Sequence, residues 1–240
     1  MKCFHHSWIF PWKSNGENAC MHWRSAGAPQ SQQISGNPRE TLMKIILIGA
    51  TGTIGRAVAQ ELGQRHDIIA VGKTQGQYQV DVTRSDSIRN LFERVGKVDA
   101  IVSTTGTLHF GPLSEMTADQ FKIGLHDKLL GQVDLALIGQ HYVNAGGSIT
   151  LTSGIVSDEP IRFGANASAV NSAIDGFVRG AAVELQGIRI NSVSPTVLQE
   201  SMASYGPYFP GFEAAPASRV ALAYSRSVEG AQTGRVIRVW

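Results

Sequence analysis

Residues 44–62 read "KIILIGATGTIGRAVAQEL", and the fold follows from this stretch. After its lysine, "KIILI" (44–48) is apolar without the alternation of a half-exposed strand. It is therefore expected to be a strand buried on both faces, as in a parallel sheet. Gly49, Gly52 and Gly55 follow at once and open a helix. Gly49 permits a tight turn, Gly52 lets the backbone approach a pyrophosphate, and Gly55 allows the helix to pack closely on the strand. The helix N-terminus adds unpaired N–H groups and a favourable dipole. With Thr51, Thr53 and Ile54 completing the loop, the strand–turn–helix context predicts a dinucleotide cradle. The alternative is a turn that merely needs glycine.

The pattern continues outward from this unit. "IIAV" (68–71), "YQV" (78–80), "AIVS" (100–103), "SITLT" (148–152), "IRINSV" (188–193) and "RVIRV" (235–239) read as further strands. Amphipathic stretches lie between them at about 54–65, 85–95, 117–144, 166–186 and 216–229. This alternation predicts an α/β fold, a doubly wound parallel sheet of about seven strands flanked by helices, in a single Rossmann domain over residues 43–240. The second strand should end beside the adenosine ribose. An acid there would favour NAD, whereas "IIAVGKTQG" offers Lys73 and no acid, which favours NADP(H) over NAD(H).

The formal charge of +2 has no dense Lys/Arg block behind it, which argues against a nucleic-acid binder. No apolar run approaches the ~20 residues of a bilayer span, so no membrane association is expected. Residues 1–42 differ from the rest. They carry both cysteines, Cys3 and Cys20, and three of the four tryptophans, and they run into a Gly/Pro/Ser-rich linker at 25–41. They read as a disordered extension or an added upstream start. Cys3, His5, His6, Cys20 and His22 match no regular zinc spacing, and a transit peptide is poorly supported because arginine is scarce. The cysteine-free domain and the lack of a secretory signal point to the cytoplasm.

Across 43–240 the chain resembles the short-chain dehydrogenase/reductase family. "GATGTIG" is similar to its glycine loop, and "DVT" (81–83) to its adenine-contacting Asp and following apolar residue, here Asp81 and Val82. "STTG" (103–106) stands where the family usually has Asn-Asn-Ala-Gly, with Gly106 retained. "GIRINSVSPTVLQES" (187–201) resembles the sixth strand and the loop facing the nicotinamide, through Pro195 and Val197. The resemblance implies hydride transfer between a nicotinamide cofactor and a small carbonyl or alcohol. It also implies a homodimer or homotetramer through helices near 117–144 and 166–186, with the strand ending in Trp240 as a second contact.

The same resemblance exposes a gap. Aligning "NSAIDGFVRGAAVEL" (171–185) with the family's Tyr-x-x-x-Lys segment puts Asn171 at the lysine and Ala167 at the tyrosine. "TLTSGIV" (150–156) offers Ser153 and then Gly154 where the reactive serine is expected. Lys128 stands at the family's fourth-helix Asn. Neither Ala167 nor Asn171 can donate the proton that carbonyl reduction needs. The replacement candidates are Lys128, whose ammonium would stabilise an oxyanion, and His109 on the loop after the fourth strand. Ser153 is a third member of the catalytic set, and Asn166 and Asn171 are placed to hold ribose hydroxyls or a water. "TVLQESMASYGPYFPGFEAAP" (196–216) reads either as an aromatic lid over an apolar or planar substrate or as a loop packed on itself or at a subunit interface, with Tyr205 and Tyr208 as further hydroxyls. Three functions remain open: an oxidoreductase with a non-standard proton donor, a non-catalytic dinucleotide-binding sensor or scaffold, and an isomerase or dehydratase on the same fold.

Overall fold

The computed structural model describes residues 42–240. Apart from Leu42, the segment read as an extension, with its cysteines and zinc candidates, lies outside them. Seven parallel strands form one sheet in the order β3-β2-β1-β4-β5-β6-β7. They are β1 (Lys44–Ile48), β2 (Asp67–Gly72), β3 (Tyr78–Gln79), β4 (Val98–Ser103), β5 (Val143–Thr152), β6 (Arg189–Pro195) and β7 (Val236–Val239). The helices are α1 (Thr53–Leu62), α2 (Ser85–Val95), α3 (Ala118–Gly124), α4 (Gly131–Gly139), α5 (Ala165–Glu184), α6 (Met202–Tyr205) and α7 (Ala217–Glu229). This is the doubly wound sheet that the alternation of apolar runs predicts.

Two cores flank the sheet because strand side chains alternate between faces. Ile46 and Ile48 of β1 join Leu91, Leu135, Ile174 and Val178 from α2, α4 and α5. Ile45 and Leu47 join Val58 and Leu62 of α1 and Val220 and Tyr224 of α7. These four apolar side chains of β1 are fully buried, each contributing about 1.5–3 kcal/mol. That two-sided burial is why the strand reads as an unbroken apolar run. The strand order reverses beside β1, whose neighbours are β2 on one side and β4 on the other. The crevice at the carboxyl ends of β1 and β4 is where ligands bind in such sheets.

One helix reading needs correction. The segment predicted over 117–144 ends at Gly139, and Val143 already belongs to β5. β5 pairs Val98 with Val143 and then shifts register to pair Ala100 with Ser148, across Gly146 at φ +81°. The glycines that blurred the strand are the ones that let it bulge. The same helical segment starts at a capping box: Gln120 N–H donates to Thr117 Oγ1 (3.2 Å) and Thr117 N–H donates to Gln120 Oε1 (2.8 Å). Between α3 and α4 the chain makes a π-helical stretch, Leu125–Leu130, and Lys128 sits inside it. Among the described residues no helix is long and apolar enough to cross a membrane.

Candidate active site

The glycine loop behaves as its spacing predicts, for reasons of space. Gly49 takes φ +88°, and a Cβ there would lie 2.7 Å from Thr104 Oγ1. A Cβ on Gly55 would fall 2.0 Å from the Gly49 carbonyl oxygen, so α1 can approach β1 this closely only without one. Gly52 is different. Its missing Cβ would meet nothing nearer than the Gly49 oxygen at 3.4 Å, which leaves its face open. Gly52 also caps α1 without any side-chain hydrogen bond, so the first N–H groups of the helix are free for an anion. A dinucleotide pyrophosphate fits these residues.

A groove runs from this loop, lined by Gly49, Thr51, Gly52, Lys73, Asp81 and Val82 among others. Thr53 begins α1 behind it. Lys73 is exposed on its rim. The Asp81 carboxylate accepts from Thr83 Oγ1 (2.7 Å) and Thr83 N–H (3.1 Å). Those bonds, with smaller help from Lys73 and Arg84, hold its pKa below the usual carboxylate value.

Beyond Thr104–Thr107, shared by both, the groove passes into a cavity of about 410 Å³. Ile54, Gly106, Lys128, Ser153, Asn171, Pro195 and Val197 all line it, bringing together residues that lie far apart in the chain. Lys128 is 8% exposed, so it is no surface lysine. Its Nζ donates to the Ser153 carbonyl at 2.9 Å. Burial pushes its pKa down to about 8, against an opposing pull from Asp175. The stem of Lys128 lies across Gly106, where a Cβ would come 2.2 Å from Lys128 Cγ. Gly106, at φ +138°, is therefore as much a seat for this lysine as a wall of the cofactor groove. Ser153 Oγ and Asn171 Oδ1 are buried in the same wall and have no hydrogen-bond partner.

Other candidates are placed elsewhere. His109 is not in the cavity lining, although Leu108 and Phe110 on either side are. Its backbone N–H is held by Asn166 Oδ1 at 3.0 Å, and its ring lies toward Gly111. Asn166 is fully buried and its amide is committed at both ends, with Nδ2 donating to the Phe121 carbonyl at 2.7 Å. It braces α5 against the loop after β4 and against α3, and it lines neither the groove nor the cavity. Ala167 is fully buried in an apolar cluster with Ile155, Val156, Val197 and Phe209. His126 is exposed.

Gln132 is a positioning residue behind the cavity that sequence reasoning missed. Fully buried, it donates through Nε2 to the carbonyls of Lys128 (3.2 Å) and Thr152 (2.9 Å) and accepts from Thr152 N–H (2.8 Å). It ties the π-helical stretch carrying Lys128 to the end of β5. The one available signal was an amide in the mostly apolar stretch "LLGQVDLALIG" (129–139).

The loop 196–216 closes one side. Tyr205 and Phe209 line the cavity, whereas Tyr208 packs on Phe110 (centroids 5.5 Å apart) and edge-on to Phe163 (6.5 Å). Phe212 meets Phe209 edge-on at 5.4 Å. Part of the loop thus lines the cavity and part of it packs on itself and on Phe110 and Phe163. Its feet are joined by a bridge between Leu198 and Ala215, by Thr196 Oγ1 donating to the Glu213 carbonyl, and by the Glu200 carboxylate receiving Ala217 N–H at the start of α7.

With this geometry in place, known proteins give the family. The model described as Enoyl-(Acyl carrier protein) reductase matches residues 49–237, and the chain belongs to the short-chain dehydrogenase/reductase family. Versicolorin reductase 1 of Dothistroma septosporum is 29% identical over 197 residues, covering 70% of this chain and 75% of that protein. The crystal structure of the protein lin1944 from Listeria innocua is 47% identical with a TM-score of 0.81, covering 82% of this chain and all of that one. A small-chain dehydrogenase solved in complex with NADPH is 27% identical with a TM-score of 0.74, covering 83% of this chain and 97% of that one. Matched relatives are named reductases, and the family supports an oxidoreductase that uses a nicotinamide dinucleotide.

Proposed function

We propose that the chain is an NADP(H)-preferring oxidoreductase that reduces a carbonyl with Lys128 as its proton donor. The observation that carries this reading is Lys128 itself, a buried ammonium at the wall of a cavity continuous with the dinucleotide groove. A bound nicotinamide would supply the hydride. Gly49, Gly52 and Gly55 would seat the pyrophosphate, Lys73 the 2′-phosphate, and Asp81 and Val82 the adenine. Pro195 and Val197 would face the nicotinamide. Lys128 would meet the carbonyl oxygen and give up its proton as charge develops there, with Ser153 Oγ as a second donor. Asn171 would turn its free acceptor toward a ribose hydroxyl or a water.

The test is titration of the full chain with NADPH and NADH, on wild type and Lys73→Ala, followed by a carbonyl screen for NADPH consumption. Tight NADPH binding that Lys73→Ala weakens selectively, with turnover that Lys128→Met removes, is the expected result. No binding of either nucleotide would sink the reading.

Ala167 favours a second reading, a dinucleotide-binding sensor or scaffold. An alanine sealed in an apolar cluster leaves no room for the hydroxyl that a reductase of this family ordinarily places there. Binding without any hydride transfer would select it, and turnover without net oxidation or reduction would select an isomerase or dehydratase. A homodimer or homotetramer through α4 and α5 fits the exposed Leu137 and Val183 on these helices, and sedimentation of the full chain tests it.

A further inference from the structure

The cavity has an unusual charge pattern for a pocket meant to hold a neutral ketone. Among the described residues, Lys128 is the one charged side chain in its lining. A buried ammonium has three N–H donors, and one is used, on the Ser153 carbonyl at 2.9 Å. The carboxylate that faces it from α5, Asp175, lies outside the lining and receives Ser192 Oγ at 2.7 Å. Asp127, on the same π-helical stretch, faces the neighbouring groove and holds Thr107 N–H. From the lid the one titratable group in the lining is the Tyr205 phenol. The ammonium thus has N–H donors without a protein acceptor on its cavity side, and the unpartnered Ser153 Oγ lies in the same wall. Leu108, Phe110, Ile155, Val197, Tyr205 and Phe209 give the space apolar and aromatic walls, and its other polar lining residues, among them Thr105, Thr196 and Ser201, are neutral.

We propose that this cavity binds a planar oxyanion, the phenolate or enolate of an aromatic or cyclic ketone substrate, with its oxygen on Lys128 Nζ and Ser153 Oγ and its ring between the aromatic walls. A phenolate and an enolate share one chemistry, a flat carbon body ending in a delocalised negative oxygen. Such a group supplies the acceptor that the ammonium lacks and the counter-charge that the lining lacks. The assignment deepens the proposed reductase reading, since the same contact would hold the alkoxide formed when a carbonyl is reduced.

The test uses two probes of nearly equal size, para-nitrophenol and its methyl ether para-nitroanisole. With the full chain near neutral pH, the phenolate is expected to bind about tenfold or more tightly than the ether, as one hydrogen bond to a buried charge allows. Binding should also lower the apparent ionisation midpoint of para-nitrophenol, read from its visible absorbance. Lys128→Met should abolish the preference and leave ether binding unchanged, whereas Phe110→Ala should weaken both probes alike. Equal binding of the two probes to wild type overturns the assignment, as does a preference that survives in Lys128→Met. The wild-type comparison decides even if that variant fails to fold. NADPH is titrated separately. NADPH binding without a phenolate preference overturns this inference alone, and a phenolate preference without NADPH binding overturns the reductase reading alone.

Discussion

The dinucleotide groove and the adjoining cavity are built from different materials. The loop end of the groove is chiefly backbone, Gly49 and Gly52 with Gly55 packed behind them at a helix N-terminus, and side chains such as Lys73 and Asp81 join it farther along. The cavity wall is side chains from three separate segments, Lys128 from the helical segment after β4, Ser153 after β5, and Asn171 from α5, with Gln132 buried behind Lys128 and tying it to β5. A backbone site constrains sequence by what it forbids, because any Cβ at Gly55 collides. A side-chain site is constrained only in aggregate. An ammonium delivered from one element can do the work of a group delivered from another, as long as it reaches the same oxygen.

The largest expected effect strikes the side-chain half. Lys128→Met should lower turnover at least about hundredfold with NADPH affinity unchanged, measured by steady-state kinetics beside nucleotide titration. Equal losses in both would mean that the two halves are not separable. Gly55→Ala attacks the backbone half. Its new methyl would sit 2.0 Å from the Gly49 oxygen, and the expected cost is about 2–3 kcal/mol of stability, with NADPH affinity falling too. Thermal denaturation and the same titration check it.

The pH dependence sharpens the contrast. Lys128 titrates at about 8 in the folded protein against 10.5 for an ordinary lysine, so reduction should weaken as pH rises through 8 and the proton donor is lost. Stability should run the other way. The unfolded chain binds more protons between those two values, so folding strengthens with pH across that window. Denaturant midpoints should rise from pH 8 to 10.5 in wild type and much less in Lys128→Met. The smallest effect belongs to Lys73→Ala on the exposed rim. A loss of about tenfold or less in NADPH affinity, and none for NADH, is expected of a solvated charge.

The sheet and the glycine loop were legible because each rests on a local pattern. An unbroken apolar run marks a doubly covered strand, and three glycines after it mark a tight turn under a helix. Lys128 was found by register alone, without any sign that it is buried. Gln132 escaped because its partners, Lys128 and Thr152, are brought together only by the π-helical stretch and the end of β5. Gly106 read as a cofactor residue, and nothing in its neighbourhood says that a lysine stem from twenty-two residues later presses on it. His109 and Asn166 lie outside the cavity lining, and one contact that the sequence does not show links them. The amide of Asn166 holds the His109 backbone, a long-range bond that fixes one residue and occupies the other.

The tied feet of the loop between Leu198 and Ala215 also bear on how tightly a ligand can bind. A floppy flap must be frozen by whatever it covers, and that ordering is subtracted from the ligand's affinity. Here the ends are joined within the fold, so the entropy of closing the ring belongs to folding. A molecule reaching Tyr205 and Phe209 meets a surface already in place. Its affinity should then track the fit of its ring and its oxygen, with little dependence on how many loop contacts it gathers.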